Sequence, residues 1–466
     1  MTQAQTLPHA ESADLARLLR SDAEHVIHPL HSPADHANPL VLVRGEGAEV
    51  IDADGRRYFD GLSGLWNVHV GHGRVELAQA AAEQMETLAY SSIYTGFVNL
   101  PSIRLAEKLS EIGHPSLNAT YFTTGGAESN ESVFKIARFY WKLQGRPNKV
   151  KIISRRWGYH GVTMAAASAT GLPVYHKMFA PLVPNFVQTV GPYRFRCELE
   201  DTDGPCPCKD PEGHDYAAAL EQMLVEEGPD TVAAIIGEPV LGAGGVIPPP
   251  DDYWPKLRAI ADRYEVLLIA DEIITGFGRT GRWFALDHWD IQPDLVTFAK
   301  GVTSAYLPLG GVMVSDAIQK AIQAAPADTK FMHAATYSGH PTCCAVALAN
   351  LAIIEREGLV ERAARVGPWF LAQLRQLESL PQVGEVRGLG MMAAVELVDR
   401  EATGAGFYER AAPLAARVTR ESVRRGLIPR FRTNVICLAP PLISTEEQLS
   451  RVVDILGESI RVASGA

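Results

Sequence analysis

Five short apolar runs punctuate the middle of this chain: KVKIIS (149–154), TVAAIIGEPV (231–240), VLLIADE (266–272), LVTFAK (295–300) and LGGVMVS (309–315). Each is continuous rather than alternating, the pattern of a strand buried on both faces. Between them apolar residues recur at helical spacing, as in YAAALEQMLVEE (216–227) and YWPKLRAIADRY (253–264). Strand–helix alternation of this kind predicts an α/β fold around a mostly parallel sheet. The flanks differ. EVIDADGRRYFD (49–60) reads as a hairpin turning at Asp54-Gly55. The C-terminal part joins long helical patterns to the strand-like MMAAVELV (391–398) and VICLAPPL (435–442). The pattern divides the chain into a large α/β domain, 69–342, and a smaller α+β domain made from both ends, 1–68 and 343–466.

Composition narrows the class. Of the 466 residues, 47% are hydrophobic and 21% charged, which provides for a large core. A net charge of −11 argues against nucleic acid and anionic membranes as partners. The N-terminus lacks the apolar core of a signal peptide, and no run of apolar residues is long enough to span a bilayer, so a cytoplasmic protein is expected. Six cysteines in so long a chain do not make a disulfide framework. Cys197, Cys206, Cys208 and His214 cluster, but their spacing matches no usual zinc pattern. They read as a polar surface insertion, and no metal is expected. Cys343-Cys344 lies in an apolar helical run and reads as core packing.

Open α/β sheets bind ligands beyond the carboxyl ends of their strands. Glu238, Asp271 and Lys300 all fall at such ends. A desolvated lysine there becomes a nucleophilic amine able to form a Schiff base, although a lone strand-end lysine more often snorkels to water. Asp271 closes a hydrophobic strand and needs a cationic or hydrogen-bonding partner. A protonated pyridine nitrogen would serve, as would a helix cap or Arg279. Gly125-Gly126 feeds a helix with an apolar face at Val133, Ile136, Ala137 and Tyr140, the form of a phosphate cradle. Tyr159, between two glycines in WGYHG, can stack on a flat heterocycle, and Thr336 in TYSGHP offers a hydroxyl. GFGRTG (276–281) matches the dinucleotide fingerprint in letters only. It follows no strand directly and opens no clear amphipathic helix, so it makes a poor case for an NAD oxidoreductase.

The order of these elements and their wording resemble the class III aminotransferases, pyridoxal-phosphate enzymes of fold type I. LLIADEIITGFGRTG (267–281) and PDLVTFAKGVTSAYLPLGG (293–311) carry the resemblance, which runs from about residue 28 to residue 442. GLSGLWNVHVGHG, WGYHG and ATYSGHP are most similar to the ω-aminotransferases that use pyruvate, the β-alanine–, taurine– and amine–pyruvate group. The resemblance implies that Lys300 carries pyridoxal 5′-phosphate and later moves the proton, and that Asp271 pairs with the ring nitrogen. It implies that Tyr159 and Ile273 cover the two ring faces and that Gly126 and Ala127 hold the phosphate by backbone N–H groups. Thr336 would reach the cofactor of a neighbouring subunit, making a homodimer, and dimers of dimers would be tetramers. Trp66, Tyr94 and Tyr159 would line the substrate pocket, and Arg430, with Arg432 as a lesser candidate, would receive the carboxylate of pyruvate. Two residues depart from the common pattern. Ala127 lacks the usual hydroxyl, which leaves backbone contacts, Asn130 or a water to compensate. Ile274 stands where relatives using 2-oxoglutarate carry Gln. Rival readings are an aminomutase or decarboxylase of the same fold, and a binding protein without turnover.

Overall fold

The structure, a computed structural model, describes residues 12–30, 32, 39–196, 209–210, 213–402 and 406–465. Cys197, Cys206 and Cys208, and the side chain of His214, lie outside the described residues.

The core is a seven-stranded sheet of β1 (Ala119–Thr123), β2 (Lys151–Arg155), β3 (Phe186–Thr189), β4 (Val232–Gly237), β5 (Leu267–Asp271), β6 (Leu295–Phe298) and β7 (Gly310–Val314). Their spatial order is β1-β7-β6-β5-β4-β2-β3. From β3 through β6 each neighbouring pair is parallel. Only β7 is reversed, antiparallel to both β6 and β1. All five apolar runs form strands: three lose two residues each, TVAAIIGEPV keeps only Val232–Gly237, and KVKIIS shifts to Lys151–Arg155. Every residue of β4, β5, β6 and β7 is buried, which is why those runs are apolar throughout. The two strands without such a run, β1 and β3, are the sheet's edges and only partly buried.

The parallel register decides where the chemistry falls. Ile269 pairs with Ile236 on one side and Leu295 on the other. The carboxyl ends of β4, β5 and β6 therefore come out side by side, delivering Glu238, Asp271 and Lys300 to one edge. Helices cover the sheet. Tyr216–Glu227 is capped by the Asp215 side chain, which accepts from the N–H of Ala218, and it buries Leu220 and Leu224. Tyr253–Arg263 buries Trp254, Leu257 and Ile260. Each such side chain contributes about 1.5–3 kcal/mol of apolar burial.

The expected hairpin forms between Glu49–Asp52 and Arg57–Asp60. Its turn needs a left-handed residue, and Gly55 (φ +80°) supplies it. The Asp52 carboxylate ties the turn by accepting from the N–H groups of Asp54 and Arg56. Leu427–Ile428 adds to this sheet in parallel with Phe59–Asp60, so the two ends of the chain share one sheet. A second four-stranded sheet joins Val383–Leu389, Met392–Leu397, Val435–Leu438 and Arg430–Arg432. Arg279 locks these parts together. Fully buried, it donates to the carbonyls of Met391 and Pro440 and to the Ser63 hydroxyl. Burial pulls its guanidinium down to about 9, with Asp60 opposing. Cys343 and Cys344 are buried in the helix Pro341–Arg356. Among the described residues no helix is long and apolar enough to cross a membrane.

Candidate active site

Asp271 is the last residue of β5 and is 2% exposed. Its Oδ2 lies 2.7 Å from His160 Nδ1 and accepts from Asn130 Nδ2 at 2.9 Å, while Oδ1 accepts from the Ile273 N–H at 3.2 Å. A carboxylate oxygen accepts here, so His160 Nδ1 carries the hydrogen. Three donors thus fix the orientation of this carboxylate. Asn130 Nδ2 also donates to the His160 carbonyl, so its amide hydrogens are committed to this cluster. Asn130 is therefore a brace for Asp271 and not a replacement for the hydroxyl absent at Ala127. Two atoms of the cluster, His160 Nε2 and Asn130 Oδ1, are buried without a hydrogen-bond partner.

Glu238 follows β4 directly. Its Oε1 accepts from the Tyr159 N–H at 2.8 Å and its Oε2 from the Gly242 N–H at 2.9 Å. Burial pushes its carboxyl up, against His160 and with Asp271. Glu238 thus holds the loop carrying Tyr159.

Lys300 sits two residues past β6, opening the short turn Lys300–Val302 with a left-handed backbone (φ +46°). A non-glycine residue in that region is strained, and such strain gathers at functional sites. Burial lowers its amine to about 8, with Asp271 and Glu238 opposing and Arg430 assisting. The next residue must be glycine for a steric reason. A Cβ on Gly301 would stand 2.3 Å from Cε1 of the buried His69 ring. Asn350 pins the same turn by donating to the carbonyls of Gly301 and Val302, both at 2.9 Å.

The cradle is equally tight. Gly125 is extended and leads into the helix Gly126–Leu143. A Cβ on Gly126 would meet Ile273 Cδ1 at 2.9 Å, and one on Gly161 (φ +131°) would meet the Ala127 Cβ at 2.7 Å. Glu128 turns back to accept from the N–H and hydroxyl of Thr124, both at 2.6 Å. Gly126, Ala127, Tyr159, Asp271, Ile273 and Lys300 all border one small cavity of about 170 Å³.

A larger cavity of about 610 Å³ adjoins it through the shared Tyr159, Ile274 and Lys300. Trp66 lines it from a kinked segment in which Ser63, Gly64 and Trp66 all have positive φ. Arg430 lines it too, and makes no ion pair among the described residues. Arg432, two residues along the same strand, stacks on Trp157 (4.8 Å) and donates to the Gly244 carbonyl. The geometry therefore separates the two arginines. Tyr94 and Thr336 line neither cavity within this chain. Thr336 is exposed, and its carbonyl accepts from the Tyr90 hydroxyl at 2.8 Å.

GFGRTG is a packing motif. Gly278 and Gly281 have positive φ, a Cβ on Gly281 would lie 2.7 Å from Ala364 Cα, and a 3₁₀ turn rather than an α-helix follows at Ala285–His288. Sequence reasoning missed the roles of His160, Asn130 and Glu238. The usable signal was His160 itself, a buried imidazole in the same pentapeptide as Tyr159.

The small cavity offers a buried carboxylate, an amine of lowered basicity, an aromatic ring and a glycine-lined helix N-terminus. That set matches the ring nitrogen, the aldehyde, the flat ring and the phosphate of pyridoxal phosphate. Fold and cavity together define an enzyme of the pyridoxal-phosphate aminotransferase class. The family described as "Aminotransferase class-III" matches residues 31–460. The chain is 42% identical over 418 residues to a diaminobutyrate–2-oxoglutarate transaminase of Halomonas elongata, covering 89% of this chain and 88% of that one. It is 38% identical over 416 residues to a putrescine–pyruvate aminotransferase of Pseudomonas aeruginosa, covering 89% of each. A solved (S)-enantioselective omega-transaminase of Thermomicrobium roseum shares 47% identity, with a TM-score of 0.88 over 97% of this chain and 98% of that one. The protein belongs to the class III aminotransferases and has their fold; pyridoxal phosphate is the family's cofactor.

Proposed function

We propose that this aminotransferase is an ω-transaminase that moves the amino group of an amine or ω-amino acid to pyruvate, releasing an aldehyde or ketone and alanine. The observation that carries this reading is Arg430. Its guanidinium lines the same cavity as Lys300 and has no ion-pair partner among the described residues. A planar guanidinium so placed suits the carboxylate of a keto acid, gripped through two parallel hydrogen bonds. Among the described lining residues the cations are Lys300 and Arg430 alone. Pyruvate, with one carboxylate, suits that pair better than 2-oxoglutarate, whose second carboxylate would find the apolar Ile274 and Ala243.

Bound pyridoxal phosphate supplies an electron sink for the carbon that bears the amino group. The remaining work belongs to the chain. Asp271, fixed by His160, Asn130 and the Ile273 N–H, would pair with the ring nitrogen. Tyr159 and Ile273 would hold the ring, and the N–H groups of Gly126 and Ala127 would bind the phosphate. Lys300, with its basicity lowered by burial, takes the proton from the substrate carbon and returns it.

We place the enzyme in the cytoplasm as a homodimer. Support comes from the exposed apolar residues Phe97, Val98, Leu100, Met332 and Tyr337, which flank Tyr94 and Thr336. Large apolar side chains exposed near Tyr94 and Thr336 in this way are the kind of surface a partner covers. A second copy seated on it would bring Tyr94 and Thr336 to the partner's cavities. The test is alanine formation from pyruvate by the purified holoenzyme with a panel of donors. Glutamate from 2-oxoglutarate at a greater rate would overturn the proposed acceptor.

A further inference from the structure

We infer that Trp157 and Arg432 are positioning residues: their stack sets Arg430 relative to Tyr159, and with it the enzyme's hold on the carboxylate of its acceptor. This rests on the reading of Arg430 given above, and the two residues themselves line neither cavity. Arg430–Arg432 is a three-residue strand, and in the described sheet it is an edge, paired with Val435–Leu438. Side chains two apart on a strand leave from the same face. Arg430 and Arg432 therefore project together, while Phe431 between them is 41% exposed. So short a ladder holds its strand weakly, and Arg432 supplies a second anchor.

Arg432 closes a circuit. Its Cζ stands 4.8 Å from the centre of the Trp157 ring, and its Nη1 donates to the Gly244 carbonyl at 3.3 Å. Trp gives the strongest contact of this kind with a guanidinium. Trp157 lies two residues before Tyr159 on the loop after β2, with a left-handed backbone (φ +66°) that a bulky residue adopts only under constraint. Gly242, two residues before Gly244, donates to Glu238, and the same carboxylate takes the Tyr159 N–H. The path from Tyr159 through Glu238, the 242–244 loop, Arg432 and Trp157 thus returns to Tyr159. Gly244 is jammed into it, since a Cβ there would collide with the Trp157 carbonyl. A second brace reaches the same strand. Trp157 packs edge-to-face on Tyr193 at 5.4 Å, and the Tyr193 hydroxyl donates to the buried Glu396. Arg387 donates to Glu396 at 2.6 Å and to the Gly245 carbonyl at 2.7 Å. Glu396 pairs across the sheet with Val435, and Val435 with Arg432. The stack joins the loop of Tyr159 to the strand from which Arg430 reaches the substrate.

The experiment uses the holoenzyme with its cofactor already aminated and follows the return of visible absorption on adding an acceptor. Pyruvate is compared with acetaldehyde, which is pyruvate without its carboxylate. Arg432→Leu and Trp157→Leu should each raise the pyruvate concentration giving half the maximal rate about tenfold, and leave the rate constant per molar acetaldehyde within about twofold of wild type. A merely structural role would weaken both acceptors together and overturn the inference. Adding Arg432→Leu to Arg430→Leu should change the pyruvate constant by less than about twofold more, since residues acting through one contact are not additive. A further loss of about tenfold would make Arg432 itself the carboxylate's partner and overturn the inference. As a reading without turnover, the Kd of propionate, measured by calorimetry on the holoenzyme, should rise about tenfold in either single variant. Arg432→Gln and Trp157→Phe, which alter less volume, carry the same comparison if a leucine variant does not fold. Pyruvate and propionate constants that match wild type would overturn the inference and leave the transaminase reading intact. A wild type faster with 2-oxoglutarate than with pyruvate would overturn the acceptor reading, and the propionate measurement would still judge the stack.

Discussion

The two adjoining cavities follow opposite rules. In the small one the acids are held by named donors and the glycines by close neighbours. Asp271 has three donors, Glu238 has two, and Gly126, Gly161 and Gly301 stand where a methyl group would collide. In the large one the walls are apolar, several are half exposed, and Arg430 waits unpaired among the described residues. Proton transfer tolerates little misplacement, since a shift of 1 Å can cost on the order of 100-fold in rate. Binding an apolar substituent is non-directional and tolerates much more. The molecule therefore fixes its chemistry and leaves its substrate range adjustable.

Substitutions can break that comparison, and the largest effect belongs to Lys300. Lys300→Ala should lower alanine formation by about 10⁴-fold, the upper range for a positioned acid–base group. A rate within tenfold of wild type would remove Lys300 from its role. Next comes Gly301→Ala. Its Cβ would meet the fully buried His69 ring, and overpacking of this kind costs about 1–3 kcal/mol, visible as a lower melting temperature and weaker cofactor retention.

Titration gives an intermediate test on the same floor. Burial lowers Lys300 to about 8 from an ordinary 10.5, so between those values the unfolded chain binds more protons than the folded one. Stability of the cofactor-free protein should rise with pH across that window, and Lys300→Met should flatten the rise. Glu272, fully buried and bonded to Thr275 and the Leu286 N–H, is pushed the other way, to about 7 from 4.5. Its folded state holds the extra proton, so its contribution is present below 4.5 and lost as pH climbs through 7. Glu272→Gln should remove that loss in denaturant melts at successive pH values. The smallest effect belongs to the larger cavity. Phe179→Ala, at a residue 70% exposed, should move stability by no more than about 0.5 kcal/mol, while changing the ranking of donors by size.

The same contrast explains what could be read in the chain before folding. Tyr216–Glu227 has the bounds its apolar spacing predicts, and the hairpin turns at Asp54-Gly55 as its sequence chemistry requires. Lys300 and Asp271 were legible because buried strands announce their own ends. The edge strands β1 and β3 were not, because a strand half exposed to water carries no continuous apolar run. Nor could apolarity give the direction of β7, since a buried strand reads alike either way round. The bracing of Asp271 by Asn130 and His160 spans separations of 141 and 111 residues, and no local pattern reports such a meeting. The resemblance ranked Arg430 ahead of Arg432, and the geometry widens that gap, since Arg430 lines the larger cavity while Arg432 stacks on Trp157 and donates to the Gly244 carbonyl.

The sheet that holds both ends of the chain also sets a timetable for its birth. Phe59–Asp60 pairs with Leu427–Ile428, and Arg56 reaches the carbonyl of Arg424, 368 positions later. At about 5–20 residues per second, the ribosome delivers that partner roughly 20–70 s after the hairpin has emerged. Through that interval the hairpin waits with one strand edge bare. The first structure to emerge is thus among the last to be completed, and a chain cut short before residue 427 leaves an open template for pairing with its neighbours.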